Sequence, residues 1–290
     1  MQLEGLDFQD KEALAGIGTT YAGSAFAPDC RFLAVGSTNG TVSVWDLTRH
    51  VLRREIKPGD GSVFPLSFLA QGNRLAVWLR SDNRCAEWDL QANPEVQPWP
   101  APPHFDAFGV SPDERLGIGV GWNSDVSGRN LREHANENLP VDVLEGENVA
   151  FSPDGQHLAV ASALGFARVW RTDTWREEAT LGGFLTGVFS VAFSPDGKRL
   201  AIGASRANDT VRVCHVESWQ ALLTLEGTGS QFVSIAFSPD GDALGTLSRD
   251  GSLHIWQAPS WAEIHAAEAK ERSEALTNRS KAAGASPDKG

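Results

Sequence analysis

The segment Phe-Ser-Pro-Asp-Gly stands at residues 151–155, 193–197 and 237–241, and its recurrence restricts the possible folds more than any bulk property of the chain. Worn copies are Phe26-Ala-Pro-Asp-Cys30, Val110-Ser-Pro-Asp-Glu114 and Phe68-Leu-Ala-Gln-Gly72. Their first residues fall at 26, 68, 110, 151, 193 and 237, at intervals of 42, 42, 41, 42 and 44. A period of this length marks one supersecondary unit repeated in series, each copy needing its neighbours to cover its apolar faces.

The best-formed copy, residues 181–225, shows what the unit is. Val188 to Phe193 is apolar at nearly every position, the pattern of a strand covered on both faces. Ser194-Pro195-Asp196-Gly197 has Ser at the first position of a type I turn, Pro at the second and Gly at the fourth, where positive φ is easiest. Leu200 to Ala204 is the returning strand, and its small residues permit close approach of a neighbouring sheet. Asn208-Asp209 is a second turn, Thr210 to Cys214 an alternating third strand and Gln220 to Leu225 a fourth. Four antiparallel strands per period make one blade, and six periods make six blades that cover one another when stacked in a ring.

The third strands read Ser43-Val-Trp-Asp-Leu47, Ala86-Glu-Trp-Asp-Leu90, Ala167-Arg-Val-Trp170, Val211-Arg-Val-Cys214 and Leu253-His-Ile-Trp256. Pro28 to Trp45, Pro153 to Trp170 and Pro239 to Trp256 are each 17 residues apart. On these residues, over roughly 12–257, the chain resembles the WD-repeat β-propeller family, in a bacterial-type form with degenerate repeats. The resemblance implies an all-β fold of six four-stranded blades. It also implies a side-chain network from His through Ser and Asp to Trp, which here is incomplete in every blade: the Gly-His pair is missing, the turn Asp is clear only at Asp209 and Asp250, and Cys214 stands where Trp is expected. The unit at 110–146 has no evident Trp and is expected to be the least regular.

Fourth strands are expected to end twelve residues before the next repeat, at Ile56, Pro98, Leu181 and Leu225, with Leu144, seven before Phe151, as a shortened exception. Leu14 lies twelve before Phe26, so Glu12 to Gly16 reads as a fourth strand that completes the last blade and clasps the ends. Residues 1–257 are accordingly the propeller. Residues 258–290 are a C-terminal helical segment behind a Ser260 cap, followed by a tail of disordered composition.

Lys+Arg 25 against Asp+Glu 37 gives a net charge of −12, which disfavours nucleic acid as a partner. Cys30, Cys85 and Cys214 lack metal-ligand or disulfide-framework spacing. With no signal-like or membrane-length apolar run, the reading is a cytoplasmic chain, off the membrane and monomeric. No nucleophile motif, phosphate loop or metal-ligand cluster is seen, so no cofactor is expected. Asp154, Asp196 and Asp240 are turn residues bonding their own backbone rather than a catalytic triad.

The candidate partner-binding residues lie on the wider face, four positions before each repeat start: Ala22, Phe64, Asp106, Glu147, Phe189 and Val233. Phe64 and Phe189 are expected as anchors, with Asp106 and Glu147 selecting a basic segment and Asn208 and Arg249 on the same face. The competing reading is that both rings pack under loops. The function expected is a non-catalytic scaffold that binds a protein or peptide. The alternatives are a six-bladed propeller hydrolase or lactonase with a central metal, for which only Asp106 and Glu147 qualify, and the C-terminal propeller of a larger multidomain regulatory protein. A relative of the periplasmic Tol-type propellers, which share the Ser-Pro-Asp-Gly turn, is disfavoured by the recurrent Trp-Asp.

Overall fold

The computed structural model describes residues 21–257 except 28–30, 70–71, 93–94, 101–104, 122–125, 206–209, 227–231 and 249–251. The expected N-terminal strand at Glu12 to Gly16 and the C-terminal helix therefore lie outside the described residues. What is described is all β. The first blade is β1 (Tyr21–Phe26), β2 (Phe32–Ser37), β3 (Val42–Asp46) and β4 (Val51–Ile56). The second is β5 (Val63–Leu69), β6 (Arg74–Leu79), β7 (Arg84–Asp89) and β8 (Glu95–Pro100). The third is β9 (Phe105–Val110), β10 (Leu116–Gly121), β11 (Ser127–Asn130) and β12 (Ala135–Glu137). The fourth is β13 (Gly146–Phe151), β14 (His157–Ser162), β15 (Phe166–Arg171) and β16 (Glu177–Leu181). The fifth is β17 (Val188–Phe193), β18 (Arg199–Ala204), β19 (Thr210–His215) and β20 (Ala221–Glu226). The sixth has three described strands, β21 (Phe232–Phe237), β22 (Ala243–Ser248) and β23 (Leu253–Gln257). Every sheet pairs its strands antiparallel in chain order, and the molecule is a six-bladed propeller.

Burial runs across each blade in a way that corrects one expectation. The strands covered on both faces are the second ones, with β10 buried throughout and β14 and β18 buried at all but their first residue. The first strands, such as β17, are buried only in part, because the innermost strand also borders the central opening. Third strands alternate, as β3 does, and fourth strands such as β20 are mostly exposed at the rim.

The core lies between blades. One cluster joins Val42 and Val44 to Leu75 and Val77 across blades one and two, and others join Leu69 to Leu131, Ile118 to Val160, Val169 to Val191, and Ala201 to Ile235 across the next four junctions. The small residues of the second strands make this possible. A methyl on Gly203 would fall 2.4 Å from Ile235 Cδ1, and one on Gly36 would fall 2.0 Å from the Val63 carbonyl oxygen.

The turns behave as their residues dictate. Ser152, Ser194 and Ser238 each accept through Oγ from the amide five residues on, at 2.8–2.9 Å, and each donates to Oδ1 of the Asp two residues on. That Oδ1 also accepts from the amide two further on, at Gln156, Lys198 and Asp242. Gly155, Gly197 and Gly241 sit at φ of 70–77°, the left-handed region that favours glycine. Around the ring these turns touch: methyls on Gly155 and Gly197 would meet Pro112 and Pro153 of the preceding blades at 3.5 and 3.8 Å.

The third blade is the irregular one, with two departures from expectation. Its fourth strand is Ala135–Glu137, so Leu144 is a loop residue and residues 138–145 make a longer connection than the six residues 57–62 or 182–187, not a shorter one. Its third strand places Arg129 opposite Gly117 and Asn130 opposite Leu116, the register that sets Trp45 opposite Leu33 and Asp46 opposite Phe32 in the first blade. Arg129 thus fills the tryptophan position, and Asn130 acts like Asp46, accepting through Oδ1 from the amides two and three residues on. Next to Arg129, Glu87 is fully buried. It is bonded by Arg74 at 2.7 Å and approached by His134 at 3.6 Å. Burial pushes its carboxyl above the usual range against the pull of both arginines and His134.

Candidate functional site

The lead-in to each innermost strand is built by one device. Pairing with the second strand slips by one residue between Tyr21 and Gly23, Gly146 and Asn148, Val188 and Ser190, and Phe232 and Ser234, and likewise where β9 meets Val120 and Gly121. The extra residues are Ala22, Glu147, Phe189, Val233 and Asp106. A β-bulge takes its extra residue out of the ladder and re-aims the side chain. Five of the six lead-in positions are therefore bulges at the same end of the ring. The second blade differs: Phe64 pairs with Trp78 and the bulge moves to Leu66, next to Pro65, which has no amide to donate.

The bulges also connect blades. Asn148 Oδ1 accepts from the Val191 amide at 3.1 Å, and Ser190 Oγ accepts from the Ile235 amide at 3.0 Å. In both cases the residue after the bulge on one blade satisfies an amide just past the bulge on the next. The first and third blades carry Gly23 and Ala107 at that position, which offer no polar side chain, and in the second, where the bulge has moved to Leu66, the residue after it is Ser67, whose hydroxyl donates to the Phe68 carbonyl. Sequence reasoning passed over Asn148 and Ser190, although two polar residues in otherwise apolar strands were the available signal.

The candidate residues are not gathered into one cluster. Phe64 is half-buried, tilted against Trp78 at 4.9 Å between ring centres and resting over Gly23 of the first blade. Phe189 is half-buried and lies over Gly187, where a methyl would meet its ring at 2.7 Å. The two rings belong to blades two and five, which do not neighbour each other. Glu147 is partly exposed and neighbours Phe189 around the ring. Asp106 occupies the bulge of β9, whereas Asn208 and Arg249 lie outside the described residues.

Elsewhere the chemistry is structural. Cys85 and Cys214 are free and buried, and burial pushes the Cys85 thiol up to about 12. The turn hydroxyls are the largest of the influences holding Asp113, Asp196 and Asp240 below the usual carboxylate range. At Asp154 burial is the largest influence and pushes upward, but the hydrogen bonds from Ser152 and Gln156, the nearby His157 and its own backbone bring the carboxyl below the usual range. Among the described residues the buried indole N–H groups of Trp45, Trp88 and Trp256 have no hydrogen-bond partner. Among the described residues no group of three or more His, Cys, Asp and Glu is placed to hold a metal ion, and no helix is long and apolar enough to cross a membrane.

The family model of the WD domain, G-beta repeat, matches residues 22–46, 140–171, 175–215 and 219–257. These segments are the first three strands of blade one and nearly all of blades four to six. With the six-bladed fold, these matches identify the repeats as WD repeats. The segments fall where this WD-repeat propeller keeps both the Pro-Asp turn and a third strand ending in Trp or Cys. Between them lie the second blade, with Leu69-Ala-Gln-Gly72 for its turn, and the third, with Arg129 for its Trp. No curated protein matches the chain.

Proposed function

We propose that this WD-repeat propeller is a non-catalytic scaffold that holds a protein or peptide partner on the face where the innermost strands begin. One observation carries the reading: the same bulge recurs at that end of five blades while the residue in it changes from Ala22 to Asp106, Glu147, Phe189 and Val233. A repeated backbone device with varied side chains suits recognition, whereas purely structural positions keep the same chemistry from blade to blade, as the Ser and Asp of the turns do. The lead-ins stand on buried sheets, so little ordering is needed on binding. Phe64 and Phe189 serve as apolar anchors and Glu147 favours a basic segment. Affinity capture with the wild-type chain and the Phe64→Ala/Phe189→Ala variant tests this. The expected outcome is a partner retained by the first and lost by the second at equal folded fraction, and equal retention rejects these two anchors.

A further inference from the structure

Three loops at the lead-in end of blades four and five touch one another. Ser162 Oγ donates to the Leu144 carbonyl at 2.6 Å and the Ala163 amide to the Glu145 carbonyl at 2.9 Å, joining loop 138–145 to loop 163–165. Gly165 lies so close to loop 182–187 that a methyl there would sit 2.9 Å from the carbonyl oxygens of both Phe184 and Thr186. Each loop raises one leucine into solvent: Leu144 is 53% exposed, Leu164 50% and Leu185 fully exposed. The half-buried rings of Phe184 and Phe189 border them. Exposed apolar side chains on adjoining loops, framed by polar ones, mark interaction surfaces.

The loops are also held by two partly exposed arginines of the third strands. Arg168 donates to the Asp142 carbonyl at 3.0 Å, and Arg212 donates to the Gly182 carbonyl at 2.7 Å with its guanidinium 4.1 Å from the Phe184 ring centre. Loop 138–145 contains Asp142 and Glu145, Glu147 follows in β13, and none of the three loops contains Lys or Arg. The patch is therefore apolar in the middle and acidic along one side. A chain of net charge −12 is a poor partner for a second copy of itself at such a surface.

We infer that the sector over blades four and five, centred on Leu185 and Leu164, binds a partner peptide that places a bulky apolar side chain beside Lys or Arg. This rests on the scaffold reading above and moves the contact from the central opening to one side of the ring. Exposure of Leu185 on a short loop gives the peptide an apolar contact at little cost in ordering, and Asp142 and Glu145 choose its charge.

A displayed random-peptide library panned on the full chain, with the most enriched peptide then synthesised and labelled, tests the inference. The expected result is enrichment of Leu, Ile, Phe, Met or Trp next to Lys or Arg. Binding should weaken about tenfold or more in Leu185→Ser and Leu164→Ser, weaken in Asp142→Asn/Glu145→Gln, and fall with added salt. All four positions are on exposed loops, and equal melting curves certify the fold of each variant. Enriched peptides that are acidic or wholly polar overturn the inference. So do peptides that ignore the leucine variants but lose affinity in Phe64→Ala, although the scaffold reading then survives. Self-association seen by sedimentation and abolished by Leu185→Ser overturns the peptide occupant in favour of a second copy. No enrichment at all defeats both readings.

Discussion

At the residue scale, the turn aspartates set how the molecule responds to acid. Ser194 donates to Asp196 Oδ1 and the Lys198 amide adds a second bond, so the carboxyl titrates below its ordinary value of 3.8. Asp113, Asp154 and Asp240 are held down in the same arrangement. A group whose folded pKa is depressed gives stability that is present above the unfolded value and lost as pH falls through the folded one. These four turns therefore weaken together below about pH 4, while Glu87, shifted the other way, gains as it is protonated. Ser194→Ala should lower stability near neutrality and flatten the acid loss, as read by urea titrations between about pH 2.5 and pH 7. Parallel stability curves for the two proteins would reject the account. The turn chemistry was legible in the sequence because Ser, Pro, Asp and Gly each have a local job. Arg129 was legible too, had the interval of 17 from proline to tryptophan been counted from Pro112, since it ends on residue 129. It was missed because the search was for an aromatic, and the position accepts an arginine whose charge is answered by Glu87 of the neighbouring blade.

At the scale of elements, the strands were readable by period and composition, but which face each one covers was not. Period-two and all-apolar patterns report how much of a strand is buried, and whether a neighbour or the central opening lies beyond it depends on the ring. That is why the doubly covered strands proved to be the second ones. The fourth strand of blade three escaped for a related reason: Ala135–Glu137 is short, polar and at the rim, and leaves no hydrophobic signal. Contact between elements depends on glycine where backbones come closest. Gly36 of β2 faces Val63 and Pro65 of β5, with the hypothetical Cβ 2.0 Å from a carbonyl oxygen and 2.6 Å from the proline ring. Neither obstacle is the loose end of a flexible side chain. Gly36→Ala should force the first two blades apart and destabilise by about 2–3 kcal/mol, the upper part of the range for overpacking. Gly182, with nothing within 4 Å, is the control, and Gly182→Ala should change the melting temperature little. Equal melting temperatures for the two substitutions would show that β2 has room to move.

At the scale of the whole molecule, what remains to be argued is how the last blade is completed. Five blades have four described strands, and in them the third strand is paired on both edges. In the sixth, β23 pairs with β22 on one edge, and its side chains Leu253 and Ile255 are 54% and 36% exposed, unlike Val42 and Val44 at the corresponding places in β3, which are buried. Among the described strands β23 also has one edge unpaired, and such an edge invites pairing with whatever strand is at hand. The sequence offers Glu12 to Gly16, which stands at the same distance before Phe26 as Leu181 stands before Phe193. The proposal is that this segment supplies the fourth strand and joins the last blade to the first. Satisfying one strand edge, and bringing the last blade against the first so that Leu253 and Ile255 are covered as Val42 and Val44 are, is worth a few kcal/mol. For a chain of this size that corresponds to a melting temperature lower by about 5–10 °C when the strand is removed. Deleting residues 1–20 should produce such a fall and expose the β23 edge to aggregation, whereas deleting 262–290 should leave the melting curve nearly unchanged. Amide hydrogen exchange gives an independent reading: protection along β23 should be lost in the first truncation and kept in the second. If both truncations melt alike and β23 exchanges alike in them, the last blade is completed by something other than the N-terminal segment.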